Sequence, residues 1–133
     1  MPLWTFLDYV DEAGRNVIAE WAKRLPARAR VKFHTRLQYM APLPRDQWAS
    51  GWSKSLVGKD WRDIYEIRFF VDKVQWRPLY CFGPEPGEIT ILGGAHEKGG
   101  KLEPDAPPKT CQDRRAEIGR KETKHVTPHD FSA

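Results

Sequence analysis

Three cations fall where consecutive strands of one sheet would carry them. Arg68 closes Tyr65-Glu66-Ile67-Arg68, Arg77 lies in Trp76-Arg77-Pro78-Leu79-Tyr80, and Lys98 follows the apolar run Ile89–Gly94. Two guanidiniums and an ammonium on one sheet face suit a phosphodiester: arginine matches phosphate oxygens in a fork, and lysine adds a point charge or a proton. The competing reading is a surface pair of Glu66 with Arg68 or Arg77, of a kind that contributes under about 1 kcal/mol. His96, in Ala95-His96-Glu97-Lys98, either supplies an imidazole for general acid–base work or merely lies in a glycine-bracketed loop. Lys54 and Lys59 flank Leu56-Val57-Gly58 and either add affinity for a polyanion or stay solvated. Trp48, Trp52 and Trp61 are of the type that stacks on bases, although packing is the commoner fate of tryptophan. His125 and His129 have i, i+4 spacing, half of a metal site if helical, but Pro128 stands between them in a polar tail and incidental histidines are expected. Cys81 and Cys111 lie thirty residues apart with no CxxC partner, which excludes a disulfide framework or a cysteine zinc site. No metal and no cofactor is expected.

The elements that must position these residues can be read from periodicity. Leu3–Val10 predicts a first strand. Asp11 suits a helix cap, followed by Val17, Ile18, Trp21 and Leu25 at helical spacing. Pro26 stops that helix and opens a second, in which Phe33, Leu37 and Met40 line one face and Arg28, Arg30, Lys32 and Arg36 cover the rest. This predicts a basic helical hairpin, ended by Pro42 and Pro44. The period then changes to two. Ile64–Val71, a turn at Asp72-Lys73 and Val74–Phe82 predict a hairpin, and Glu88–Ala95 predicts a third strand. Pro78 is awkward there, because proline cannot donate to a ladder. A polar helix is expected over Lys109–Lys121. The fold class is therefore α+β: a small antiparallel sheet, made of the N-terminal strand and a three-stranded meander, with a two-helix N-terminal hairpin and a C-terminal helix packed on one face. Residues 1–121 form one domain. The tail, 122–133, has little to bury and is expected to be mobile.

Composition narrows the class. With 133 residues, 40% hydrophobic and 30% charged, the chain suits one domain with a real core rather than wholesale disorder. No apolar run approaches the roughly 20 residues of a membrane span, and Met1-Pro2-Leu3-Trp4 does not open a signal peptide. A reduced, cytoplasmic setting is the expectation. The net charge of +4 is unevenly spread: residues 15–45 hold eight bases against one acid. That segment either meets an acidic partner or nucleic acid, or is a solvated helix face.

Leu56-Val57-Gly58, Tyr65-Glu66-Ile67-Arg68, Trp76-Arg77-Pro78-Leu79-Tyr80, and Ile89–Gly94 with Lys98 behind it resemble, in order and spacing, the HigB-like toxins of the RelE/ParE superfamily of type II toxin–antitoxin systems, many relatives of which are phage-derived. The resemblance spans roughly residues 5–120. It implies a metal-independent endoribonuclease that cuts messenger RNA, typically on the ribosome, and is restrained by a cognate helix-turn-helix antitoxin. The ribose 2′-OH would attack the adjacent phosphate. Arg68 and Arg77 match the family's "Glu-Leu-Arg" and "Arg-x-x-Tyr" arginines and would hold that phosphate, Tyr80 matches the tyrosine, and Lys98 matches a lysine of the loop after the last strand. Ala95-His96-Glu97-Lys98 departs from the family's usual aromatic residue and paired lysines, and His96 is the residue that would compensate. Two other readings remain: a gyrase-binding toxin of the ParE branch that cleaves nothing, and a degenerate phage-derived interaction module.

Overall fold

Asn16, rather than Asp11, starts the first helix. Its Oδ1 accepts from the N–H groups of Ile18 and Ala19 at 3.0 and 2.9 Å, satisfying donors at the end of α1 (Val17–Arg24). Asp11 instead closes the preceding turn, accepting from the N–H groups of Ala13 and Arg15. In this computed structural model, which describes residues 2–133, Ile18, Ala19, Trp21 and Ala22 bury one face of α1. Pro26 then opens α2 (Ala27–Met40), which buries Ala29, Phe33, His34, Leu37 and Met40. The two helices follow each other as expected but pack on different strands. α1 lies against the first strand, β1 (Thr5–Tyr9), and α2 against a later one. Arg30 helps to close the joint, donating to the carbonyls of Ala22 and Leu25 at the end of α1.

After α2 come β2 (Ser53–Ser55), β3 (Tyr65–Ile67), β4 (Phe69–Val71), β5 (Val74–Trp76), β6 (Leu79–Phe82), β7 (Glu88–Gly93), β8 (Ala95–Lys98) and β9 (Lys101–Pro104). Helix α3 (Pro108–Gly119) and β10 (Val126–Pro128) complete the chain. The fold is α+β, as read from the sequence, but the single small sheet is two sheets. One has the order β10-β1-β7-β6-β3-β2 and the other β4-β5-β8-β9. Each strand of the expected meander breaks and changes sheet at the same level: at Arg68, at Arg77-Pro78 and at Gly94. The sequence shows why. Pro78 has no N–H for a ladder, its carbonyl accepts from Ile67 at 2.9 Å, and the register shifts between Leu79 and Tyr80. At Gly94 a Cβ would overlap the Trp21 indole, so only glycine lets the helix approach the bend.

The six-stranded sheet is covered on both faces, not on one. Toward α1 and α2, Phe6, Trp21, Phe33, Ile67, Tyr80 and Ile91 share a core. Toward α3, Ile64, Leu79, Cys81, Leu92, Cys111 and Ile118 form a second. Both cysteines are free and buried, and burial pushes the Cys81 thiol up to about 12, which removes it as a nucleophile. The strand β1 runs parallel to β7, so the sheet is mixed. The expectation of a mobile tail is corrected here: β10 pairs antiparallel with β1, Leu7 opposite Pro128 and Tyr9 opposite Val126. It covers an edge whose N–H and C=O groups would otherwise lack partners. No helix among the described residues is long and apolar enough to cross a membrane.

Candidate functional site

The shared bend brings Arg68 and Arg77 together, and it does so on a carboxylate. Glu66 lies opposite Leu79 across β3 and β6, on the face toward α3, and is only 1% exposed. A buried carboxylate costs several kcal/mol unless it is paired, and two guanidiniums converge on this one. Arg68 Nε donates to Oε1 at 2.8 Å, and Arg77 Nε stands 3.8 Å from Oε2. Arg77 Nη2 also donates to Glu97 at 2.6 Å. The 3.8 Å gap is too long for a hydrogen bond. Glu66 Oε2 and Arg77 Nε are buried with no hydrogen-bond partner among the described residues. Arg36 braces the bend from the helical side by donating to the Arg68 carbonyl, with its guanidinium 5.0 Å over the Trp52 ring. Burial pulls the Arg36 pKa down.

His96 does not join this cluster. It pairs with Trp76 across β5 and β8, with the rings 5.9 Å apart, whereas the next residue, Glu97, meets Arg77. Consecutive strand residues point to opposite faces, so the imidazole is turned away from the arginines. Lys98 is exposed at the turn into β9, opposite Lys101, and makes no ion pair among the described residues. Tyr80 is a core residue. It is fully buried, its ring stacks on Tyr65, its hydroxyl is 2.6 Å from Ser53 Oγ, and burial pushes its pKa up to about 12. That rules out its ring as a substrate contact in this conformation. Lys59 is exposed in a short turn, and Lys54 is exposed opposite Glu66 on the edge strand β2.

Beside that edge lies a groove of about 750 Å³ whose lining includes Arg45, Trp48, Ser53, Lys54 and Tyr65. Arg45 sits 4.3 Å over Phe82 and 5.3 Å over Tyr65. A cation beside aromatic rings in an open groove fits a single nucleic-acid strand. The sequence placed Arg45 at the end of the basic segment and Tyr65 on the apolar face of a strand, and nothing local joined the two, because the chain between them carries no clear periodicity.

The tail histidines are built into the fold. His129 Nδ1 lies 2.6 Å from Asp8 Oδ1, His129 Nε2 lies 2.9 Å from His34 Nδ1, and His34 Nε2 lies 2.8 Å from the Ala133 carbonyl. The chain runs from the fully buried Asp8 through both rings to the Ala133 oxygen. Asn16 and the Asp130 N–H fill the other oxygen of Asp8. His125, also buried, is held apart from this chain by its own contacts. Nothing local announced this seam, since Asp8 and His34 come from distant segments.

Comparison with protein-family models, with curated proteins and with solved structures gave no match.

Proposed function

We propose that this chain is a toxin of the RelE/ParE type that cleaves messenger RNA with its own side chains at the bend. One observation carries the reading: Arg68 and Arg77 converge on Glu66, whose Oε2 stands 3.8 Å from Arg77 Nε, neither atom having a hydrogen-bond partner among the described residues. Glu66 is as buried as Tyr80, so a ribose hydroxyl and its neighbouring phosphate would complete both only once Arg77 moves aside and uncovers the carboxylate. In this scheme RNA lies in the groove of Arg45, Trp48, Tyr65 and Lys54 and turns over the β2 edge. Arg77 swings from Glu97 to the phosphate. Glu66 takes the 2′-OH proton, the 2′ oxygen attacks phosphorus, and Arg68 and Arg77 offset the charge that develops. The 5′ oxygen leaves with a proton from a solvent water, because Lys98 shares with His96 the face of β8 turned away from the arginines. The outer face of α2 suits an acidic, amphipathic antitoxin segment. Val31 and Tyr39 are exposed in an apolar groove of about 550 Å³, with Arg28 and Lys32 beside them.

Induced expression of the chain should arrest bacterial growth, and Glu66→Gln, which keeps the shape and the Arg68 hydrogen bond, should release it. Removing a general base typically costs 10²–10⁴-fold in rate. A soluble, folded Glu66→Gln protein that still arrests growth would falsify this assignment. A second reading, a binding module that cleaves nothing, is favoured by Arg77 being paired with Glu97 and by His96 facing away. Under that reading any growth arrest survives Glu66→Gln.

A further inference from the structure

Beyond this chemistry, and independent of it, a second cluster lies at the C-terminal end of β1. His125 is 2% exposed and enters from the chain just before β10. Its Nδ1 is 2.9 Å from the Val10 carbonyl, which can only accept, so Nδ1 carries the proton. That fixes the ring and turns Nε2 toward two carboxylates. Glu12 Oε1, in the loop after β1, is 3.3 Å away, and Glu117 Oε2, on α3, is 3.5 Å away. A histidine whose far nitrogen is tied to a backbone carbonyl is the usual posture of a metal ligand.

Two further observations separate this cluster from an ordinary ion pair. Among the described residues His125 is the sole ionic partner of either glutamate, so two carboxylates face one ring that can carry at most one charge. The nearby Arg114 is engaged elsewhere: it donates to the Leu92 carbonyl at 2.7 Å and lies over the Tyr9 ring. The spacing also fits. With metal–ligand bonds of about 2.0–2.1 Å, the edge of a tetrahedron is about 3.3–3.4 Å, close to the two contacts made by His125, and all three ligand atoms lie within 4.8 Å of one another. Tyr9 donates to Glu117 Oε2 at 2.5 Å and stacks flat on His125, holding two of the three groups in place.

We propose that Glu12, Glu117 and His125 bind a divalent cation of the zinc class. One nitrogen and two carboxylate oxygens suit zinc, whereas magnesium prefers an all-oxygen octahedron that keeps several waters. Glu12 and Glu117 also line a cavity of about 420 Å³, together with Tyr9, Asp11, Arg15 and Arg114. The ligands come from three separate pieces of chain: the loop after β1, helix α3 and the residue leading into β10. The site is therefore complete only when the C-terminal segment is docked, and zinc would clamp that segment in place.

The test is zinc titration of the full chain after dialysis against a chelator, read by calorimetry and by thermal unfolding. The expected result is one Zn²⁺ per chain, a raised unfolding midpoint, and no displacement by excess Mg²⁺. His125→Ala should abolish binding. Because that change also empties a buried position, Glu12→Gln is the decisive companion: Glu12 is exposed, its variant should fold normally, and zinc affinity should fall at least tenfold. Absence of zinc binding by the wild-type chain would overturn the proposal. So would binding of unchanged strength in Glu12→Gln, which would mark the metal as adventitious.

Discussion

The bend and the C-terminal seam both bury ionisable groups, but they satisfy them with different chemistry. At the bend, Glu66 is held by guanidiniums that stay charged at any pH a protein survives. At the seam, Asp8 is held by His129, which His34 backs, and a third histidine faces two glutamates. Imidazoles change charge within the physiological range and bind metals. The bend should therefore be indifferent to chelators, and the seam should respond to them through His125 and to mild acid through His34. A fixed charge pair suits a site that must be ready at all times. A titratable pair suits a joint that can be released.

The largest expected effect lies at the bend. Arg77→Ala removes one of two partners from a carboxylate that is almost fully buried, and breaking such a pair costs about 3–5 kcal/mol, with Arg68 keeping the loss toward the lower end. Urea unfolding measures this, and adding Glu66→Gln to Arg77→Ala should recover part of the loss. Additive losses would mean that the two residues do not share one network. Arg77→Ala is for the same reason a poor probe of chemistry, although a surface arginine would have been a clean one. A smaller loss is expected for Gly94→Ala, where overpacking against Trp21 should cost about 1–3 kcal/mol. Trp21→Leu in the same chain should relieve it. No loss would mean that the indole yields freely.

How far the sequence exposed this difference depends on range. The period-two runs Ile64–Val71 and Val74–Phe82 predict Arg68 and Arg77 within neighbouring strands, whereas both fall at the breaks between strands. Alternation of side chains continues across a bend, however, so the switch from one sheet to the other left no trace in the pattern. Only Pro78 and Gly94 marked it. Glu66 was visible as a partner for the arginines, but its burial was not, because Leu79 and Arg77, which lie against it, come from later in the chain. The seam was less legible still. Residues 122–133 are polar, and their burial rests on Asp8, His34 and Glu117, none of them near in sequence.

The smallest expected effect is one of pH, and it belongs to the seam. Burial is the main cause that pulls the His34 pKa below its usual 6.5, with the neighbouring His129 adding to it and the Ala133 carbonyl, Asp8 and Asp130 opposing. The unfolded chain then binds this proton more readily than the folded one. Stability is fully present above about pH 6.5 and falls as pH drops through the lower folded value. Urea midpoints across pH 7.5 to about 5 should decline, and His34→Gln should flatten the decline. An equal slope in both proteins would place the titrating group elsewhere.

The central claim, that Glu66 and its two arginines form a cleavage site, is tested most directly by the ends of the RNA it produces. Purified wild-type chain, incubated with messenger RNA on ribosomes, should leave 2′,3′-cyclic phosphate ends, and folded Glu66→Gln should produce them at least about a hundredfold more slowly. Cleavage at an undiminished rate by Glu66→Gln, or intact RNA with the wild-type chain, would contradict the account.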